Sequence, residues 1–186
     1  MGQGLKEVTT HSISDGVGLL IVHTGGGKGK TTAALGLLLR AWGHGMKVVM
    51  LQFMKRPSAE YGEHKAAERL GIEMLAHGSG FTRRSKDAEL GVAMARELWE
   101  MAKVKICSGE HDMVILDEFS YPLNYGWITT KEAIDVLCRR PKEMHVVLTG
   151  RAVPREIVEI ADLVTEMCEV KHPFRSGVKA QQGIEF

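Results

Sequence analysis

The 186-residue sequence lacks most of the signals that would declare a class at once, and each absence removes a possibility. Its cysteines are three, Cys107, Cys138 and Cys168, with no C-x-x-C spacing. An odd, scattered set describes reduced thiols packed in a core, not a disulfide framework or a zinc knuckle. Charge of one sign is missing too: 24 Lys and Arg against 23 Asp and Glu leave a net +1. That balance gives no general attraction to nucleic acid or to an anionic membrane surface, and no tract interleaves aromatic with basic residues. No apolar run approaches the roughly 18 residues of a membrane span, and the N-terminus has no hydrophobic signal core. Lys6 stands where a myristoylation signal needs Ser or Thr. The expected location is therefore cytoplasmic, with no nucleic-acid or membrane partner. The eight histidines form no H-E-x-x-H or Cys/His metal spacing, and there is no G-x-S-x-G elbow.

What is present is a loop. Gly18–Thr32 reads GLLIVHTGGGKGKTT: an apolar strand breaks into Gly25-Gly26-Gly27, then Lys28-Gly29-Lys30-Thr31-Thr32, then a helical pattern. A glycine-rich turn between a strand and a helix N-terminus aims several backbone N–H groups at one point, where the helix dipole also favours negative charge. Lys30 adds an ammonium for phosphate oxygens and Thr31 a hydroxyl that can ligate Mg²⁺. As a loop lysine, Lys30 is expected to face solvent. The phosphate-loop pattern G-x-x-x-x-G-K-[ST] would place its first glycine at 24, where this chain has Thr24.

Strand and helix candidates alternate along the rest of the chain, which is 44% hydrophobic and long enough for one substantial core. Leu19–His23, Lys47–Phe53, Ile72–Ala76, Met113–Leu116, Val146–Leu148 and Leu163–Val170 read as strands. Helices are expected over about Thr31–Trp42, with Leu35, Leu38, Leu39 and Trp42 at helical spacing, and over Tyr61–Leu70. The longest, Ser85–Ile106, carries Leu90, Met94, Leu98 and Met101 along one face. One more falls before Val146, and another has Pro154 in its first turn. Repeated β-then-α units predict an α/β fold, a mostly parallel sheet with helices on both faces. Residues 1–17 are expected to form a flexible arm and residues 18–186 a single domain.

Ligands of such sheets sit at the carboxyl ends of the strands. Met113–Leu116 ends in Asp117-Glu118, two carboxylates able to hold hydrated Mg²⁺ opposite Thr31. Val146–Leu148 ends in Thr149-Gly150-Arg151, a guanidinium able to grip phosphate. Arg40, two to three turns into the first helix, fits a phosphate contact and a solvated surface arginine equally well by spacing. His23 reads as a hydrogen-bonded strand-end residue. Phe81 is a loop aromatic between glycines, whose ordinary fate is to tuck into the core unless its loop covers a large flat ligand. On residues alone, a phosphotransferase or ATPase using Glu118 at the γ-phosphate remains open.

These segments, together with Gly80-Phe81-Thr82 and the tail from Val170-Lys171-His172-Pro173-Phe174 through Gly177-Val178-Lys179-Ala180-Gln181 to Gly183-Ile184-Glu185-Phe186, resemble the ATP:corrinoid adenosyltransferases of cobalamin synthesis and salvage. The likeness runs from Gly18 to Phe186. It implies a P-loop NTPase (RecA-like) three-layer sandwich that transfers the 5′-deoxyadenosyl group of ATP to the Co(I) of a reduced corrinoid and releases triphosphate. By resemblance, ATP lies reversed in the loop, on Gly25, Gly26, Gly27, Lys28, Gly29, Lys30, Thr31 and Thr32, with Arg40 and Arg151. Mg²⁺ (or Mn²⁺) falls to Thr31, Glu118 and Asp117. Phe81 becomes part of an aromatic wedge that displaces the lower corrinoid ligand, although Arg83 stands where relatives often carry Trp. The sequence lacks the D-x-H-x-x-G pattern by which other corrinoid proteins replace that ligand with histidine. A flavoprotein electron donor and a homodimer are also implied.

Overall fold

The structure, a computed structural model, describes residues 16–56, 61–78 and 85–185. Most of the N-terminal arm, Phe81 and Arg83 lie outside the described residues. In chain order the elements are β1 (Leu20–Thr24), α1 (Lys30–Gly43), β2 (Val48–Gln52), α2 (Gly62–Leu70), β3 (Glu73–Ala76) and α3 (Ser85–Cys107). Then come β4 (Met113–Asp117), α4 (Ser120–Asn124), α5 (Thr130–Cys138), β5 (His145–Thr149), α6 (Arg155–Ile160) and β6 (Leu163–Glu166), followed by a 3₁₀ turn at Pro173–Ser176.

The six strands form one sheet in the order β3-β2-β4-β5-β1-β6, and all five neighbouring pairs are parallel. A parallel sheet needs cover on both faces, and period-two alternation supplies it. Leu20, Val22, Leu51, Leu116 and Leu148 meet residues of α3, α4, α5 and α6 on one side. Ile21, Met50, Ile115 and Val147 meet Ala34, Leu38 and Ala41 of α1 and Ala67 of α2 on the other. The result is the expected three-layer α/β architecture. Because every strand runs the same way, β1, β2, β4 and β5 deliver Thr24, Gln52, Asp117 and Thr149 to one edge of the sheet.

Helix phases differ from the expected ones. In α1 the inward stripe is Ala34, Leu38 and Ala41, while Leu39 and Trp42 are 53% and 40% exposed. In α3 it is Ala95, Leu98, Trp99, Ala102 and Ile106, with Leu90 55% and Met101 39% exposed. Small residues let a helix lie close on a sheet, so alanines take positions that a count of large apolar residues would give to leucine. The last strand also stops early, at Glu166 rather than Val170. Its partner β1 ends at Thr24, and Met167 turns to follow the loop instead, donating to Thr24 O at 2.9 Å and accepting from Gly27 N at 2.7 Å. Pro154 caps α6 from the residue before its first turn.

Beneath the end of β4, Phe119 stacks on Trp99 with ring centroids 4.8 Å apart and meets Phe53 at 4.8 Å. Trp99 Nε1 donates to Glu132 Oε1 at 2.7 Å, so the buried indole is satisfied. This aromatic column supports the Asp117-Glu118 turn from below. Phe119→Ala should therefore cost about 3–5 kcal/mol in denaturant unfolding, whereas Leu39→Ala on the exposed face of α1 should stay within about 0.5 kcal/mol; equal losses would contradict the column.

Candidate active site

The loop from Gly25 to Gly29 is held against the segment that follows β6. Gly25 has φ +98°, and a Cβ there would lie 2.5 Å from Met167 O. A Cβ on Gly27 would lie 2.7 Å from the Cys168 backbone. Thr24, in place of a first glycine, accepts a hydrogen bond from Val153 N through Oγ1 at 3.3 Å. It thereby ties the end of β1 to the loop after β5. α1 starts at Lys30 with no side-chain cap, which leaves its first N–H groups for an anion.

Lys30 is not solvent-facing. It is 6% exposed and donates to Gly25 O at 2.9 Å and Gly27 O at 2.6 Å. Burial lowers its pKa, opposed by the nearby Glu118 and Asp117 carboxylates. Lys28 is exposed and pairs with Glu185 of the C-terminal tail at 3.0 Å. Glu185 in turn accepts from Gln181 N.

At the end of β4 the two carboxylates have opposite environments. Asp117 is buried and accepts three hydrogen bonds: Thr31 Oγ1 at 2.9 Å and Thr149 Oγ1 at 2.7 Å on Oδ1, and Gln52 Nε2 at 3.0 Å on Oδ2. Both of its oxygens are taken. Glu118 holds a left-handed backbone conformation at φ +58°, its N–H donating to Thr149 Oγ1 at 2.9 Å, and its Oε2 is buried with no hydrogen-bond partner. Burial and the Asp117 charge push its carboxyl up to about 7, against the pull of Lys30, Arg151 and Lys55. A strained backbone and an unpartnered oxygen are features of a ligand-binding position. The arrangement fits a hydrated divalent cation: Thr31 gives its proton to Asp117 and keeps its lone pairs, and Glu118 keeps a free oxygen.

Arg151 is exposed beside this cluster, its loop held by Asn124 Nδ2 donating to Arg151 O and Ala152 O at 3.2 and 3.0 Å. Arg40 lies farther off, exposed in the last turn of α1, ten residues and about 15 Å along the helix from Lys30. His23 also departs from expectation: it is buried, neither ring nitrogen has a hydrogen-bond partner, and desolvation lowers its pKa. The structure adds residues that motif reading passed over. Gln52 and Thr149 fasten Asp117. Lys55 pairs with Glu63 and lies over the Tyr61 ring, and the Asp117 and Glu118 charges act on it. A polar residue ending an apolar strand at the ligand edge, as Gln52 does in Val-Val-Met-Leu-Gln, was the available signal.

The family model of ATP:corrinoid adenosyltransferases BtuR/CobO/CobP matches residues 16–186. The chain belongs to that family. A corrinoid adenosyltransferase of Sinorhizobium sp is 45% identical over 177 residues, covering 93% of this chain and 82% of its own. That of Escherichia coli K12 is 43% identical, with 91% and 86% covered. Corrinoid adenosyltransferase CobA of Salmonella typhimurium LT2 is 41% identical over the same shares. A KaiC-like protein of Pyrococcus horikoshii OT3 superposes with a TM-score of 0.44 at 16% identity, over 83% of this chain and 75% of its own, too distant to bear on function.

Glu118 gives this adenosyltransferase a pH signature. Its folded-state pKa of about 7 lies above the ordinary value of 4.5, so between those values the folded protein binds more protons than the unfolded chain. Stability contributed by this group therefore falls as pH rises through that window. In thermal melts without metal or nucleotide, Glu118→Gln should melt higher than the unsubstituted protein at pH 8, with the advantage fading by pH 4.5. An advantage independent of pH would contradict the buried, unpaired carboxyl.

Proposed function

We propose that this member of the family joins the 5′-deoxyadenosyl group of ATP to corrinoid cobalt at the site formed by the Gly25–Thr32 loop, Glu118 and Arg151. Co(I) is a strong nucleophile and needs no base. The Co–C5′ bond forms as the C5′–O bond breaks in line; the oxygen keeps the electron pair, and triphosphate leaves. Stabilising that added charge is the protein's main electrostatic task. Loop N–H groups, Lys30 and Arg151 supply fixed positive charge and dipoles, with C5′ facing away from the loop toward the corrinoid.

Thr31 and Glu118 are the residues we assign to Mg²⁺ or Mn²⁺, whose bound charge would neutralise phosphate oxygens. Asp117 acts behind Thr31, since its oxygens are already engaged by three donors. The observation that carries this reading is the pairing of Thr31 Oγ1 with Asp117 beside the unpartnered Oε2 of Glu118. One feature favours the rival: a carboxyl titrating near 7 is suited to activating water at a γ-phosphate. Products separate the two.

Co(I) is reached by one-electron reduction of Co(II), which we assign to a flavoprotein donor. A homodimer is proposed as well, supported by exposed apolar residues on β6 and the tail, including Leu163, Val164, Phe174 and Ile184. Among the described residues no helix is long and apolar enough to cross a membrane. The three cysteines are exposed rather than packed in the core as their scatter suggested, and the proposed cytoplasmic location rests on their being free thiols, which a reducing compartment preserves.

Anaerobic incubation with Co(I) corrinoid and MgATP should yield one triphosphate per carbon–cobalt bond, read by absorbance and anion chromatography; ADP and phosphate would establish the hydrolase instead. Lys30→Ala should lower the rate roughly 10²- to 10³-fold. Because the ammonium also fastens two loop carbonyls, the variant should melt lower too, and rates belong below its own midpoint.

A further inference from the structure

Behind Asp117 runs a hydrogen-bond chain that the chemistry above does not use. Gln52, the last residue of β2, is fully buried; its Nε2 lies 3.0 Å from Asp117 Oδ2 and its Oε1 2.5 Å from His64 Nε2. His64 comes from α2, half-buried in the wall of a cleft of about 540 Å³ between α2, β3 and α3. The direction of every bond is forced. A carboxylate only accepts, so Gln52 must turn its NH₂ toward Asp117 and its carbonyl toward His64. His64 must then carry its proton on Nε2. A reversed amide would set two acceptors face to face at Asp117.

We propose that Gln52 and His64 are positioning residues for the cation end of the nucleotide site, acting through Asp117 on Thr31. This rests on the assignment of Thr31 and Glu118 as cation ligands. Oδ1 of Asp117 serves Thr31 and Thr149 together, while Oδ2 has Gln52. With Gln52 in place the carboxylate is satisfied at both oxygens and cannot rotate without losing a bond. Thr31 then points its proton at Oδ1 and its lone pairs away, toward a cation. Remove the Gln52 donor, and a buried Oδ2 must recruit one of the two threonines. A Thr31 hydroxyl released from Oδ1 is free to direct its proton at the cation, which repels it. His64 holds the amide in its productive orientation, so it acts one bond further out and more weakly.

Mn²⁺ binding to the enzyme–ATP complex, read by electron paramagnetic resonance, tests this alongside metal-free ATP binding and the melting temperature. Outer partners of metal ligands commonly change metal affinity about 10- to 100-fold. Gln52→Leu, near in size but without polar atoms, should weaken Mn²⁺ by such a factor. Should that variant fold poorly, the His64 pair decides. His64→Phe keeps a ring but loses the donor, and should weaken Mn²⁺ by about 3- to 10-fold, below the range for a direct partner. His64→Gln places an N–H donor at the Nε2 position and should bind Mn²⁺ as the unsubstituted protein does. Metal-free ATP affinity and melting temperature should match within the pair. Equal Mn²⁺ binding by His64→Phe and His64→Gln, or Mn²⁺ losses that merely follow melting temperature and metal-free ATP binding, would overturn the proposal. If Glu118→Gln holds Mn²⁺ as tightly as the unsubstituted protein, the cation assignment itself fails and takes this inference with it. The first pattern leaves the Glu118 effect intact, so the two failures are distinguishable.

Discussion

Three side-chain donors converge on one buried carboxylate, and the rest of the site is arranged around that constraint. Asp117 ends β4; its partners come from α1, β2 and β5, three elements far apart in sequence. A carboxylate without water is tolerable only when hydrogen-bonded, and breaking one such bond leaves its oxygen with a desolvation penalty larger than the bond's net worth. The central strands must therefore stay in register at their carboxyl ends, and α1 must start where Thr31 reaches Oδ1. Parallel pairing of β2 with β4 and of β4 with β5 supplies that register, setting Gln52 beside Asp117 and Leu116 beside Leu148. The phosphate loop is positioned as a consequence of a polar junction, with the apolar sheet serving as its foundation.

Next to this satisfied group sits an unsatisfied one. Glu118 adopts φ +58°, keeps Oε2 unpartnered and lies near the Asp117 charge. Each of these opposes folding, and burial of the carboxyl with the Asp117 charge beside it raises its pKa to about 7. Lys30, Lys55 and Arg151 offset part of the cost, but each keeps a further duty: Lys30 toward the loop carbonyls, Lys55 toward Glu63, and Arg151 toward solvent. The cluster holds charges apart rather than neutralising them pairwise, so a polyanion with its cation can complete it. Local strain of this kind persists only where the surroundings over-determine it, and the Trp99–Phe119–Phe53 column does so here.

The sheet was readable because parallel strands buried on both faces are near-continuous Val, Ile and Leu runs, and those runs are present. Helix phase was less so. Leu39, Trp42, Leu90 and Met101 are large and apolar, yet the buried stripes pass through Ala34, Ala41, Ala95 and Ala102, whose small side chains carry little weight in any periodicity count. Lys30, Thr31, Asp117 and Glu118 were visible as a motif, and the structure brings them together. Arg40 was ambiguous by spacing, and only the length of α1 separates it from the loop. The burial of Lys30 and the unpaired ring of His23 depend on how the loop folds over itself, which no local pattern encodes. Gln52 and His64 are twelve residues apart on a strand and a helix, and nothing in either segment alone announces the other.

The tail shows why a resemblance carried by the chain's far end bears on its loop. Thr24 O accepts from Met167 N, Gly27 N donates to Met167 O, and the backbone of Cys168 leaves no room for a Cβ on Gly27. Further on, Glu185 reaches Lys28 while its other oxygen takes the Gln181 amide. The loop is thus walled on one side by Met167 and Cys168 and tethered through Lys28 to the C-terminal segment. Thr24 follows from the same packing. A glycine there would leave Val153 N without its side-chain acceptor, and the turn bearing Arg151 would keep only the backbone bond from Gly150 N to His23 O as its tie to β1. In this chain the first glycine is replaced where the loop must be tied to its neighbours, and glycine is kept at 25 and 27, where the post-β6 segment presses on the backbone. The chain's far end thus touches the loop twice, through the backbone of Met167 and Cys168 and through the Lys28–Glu185 ion pair.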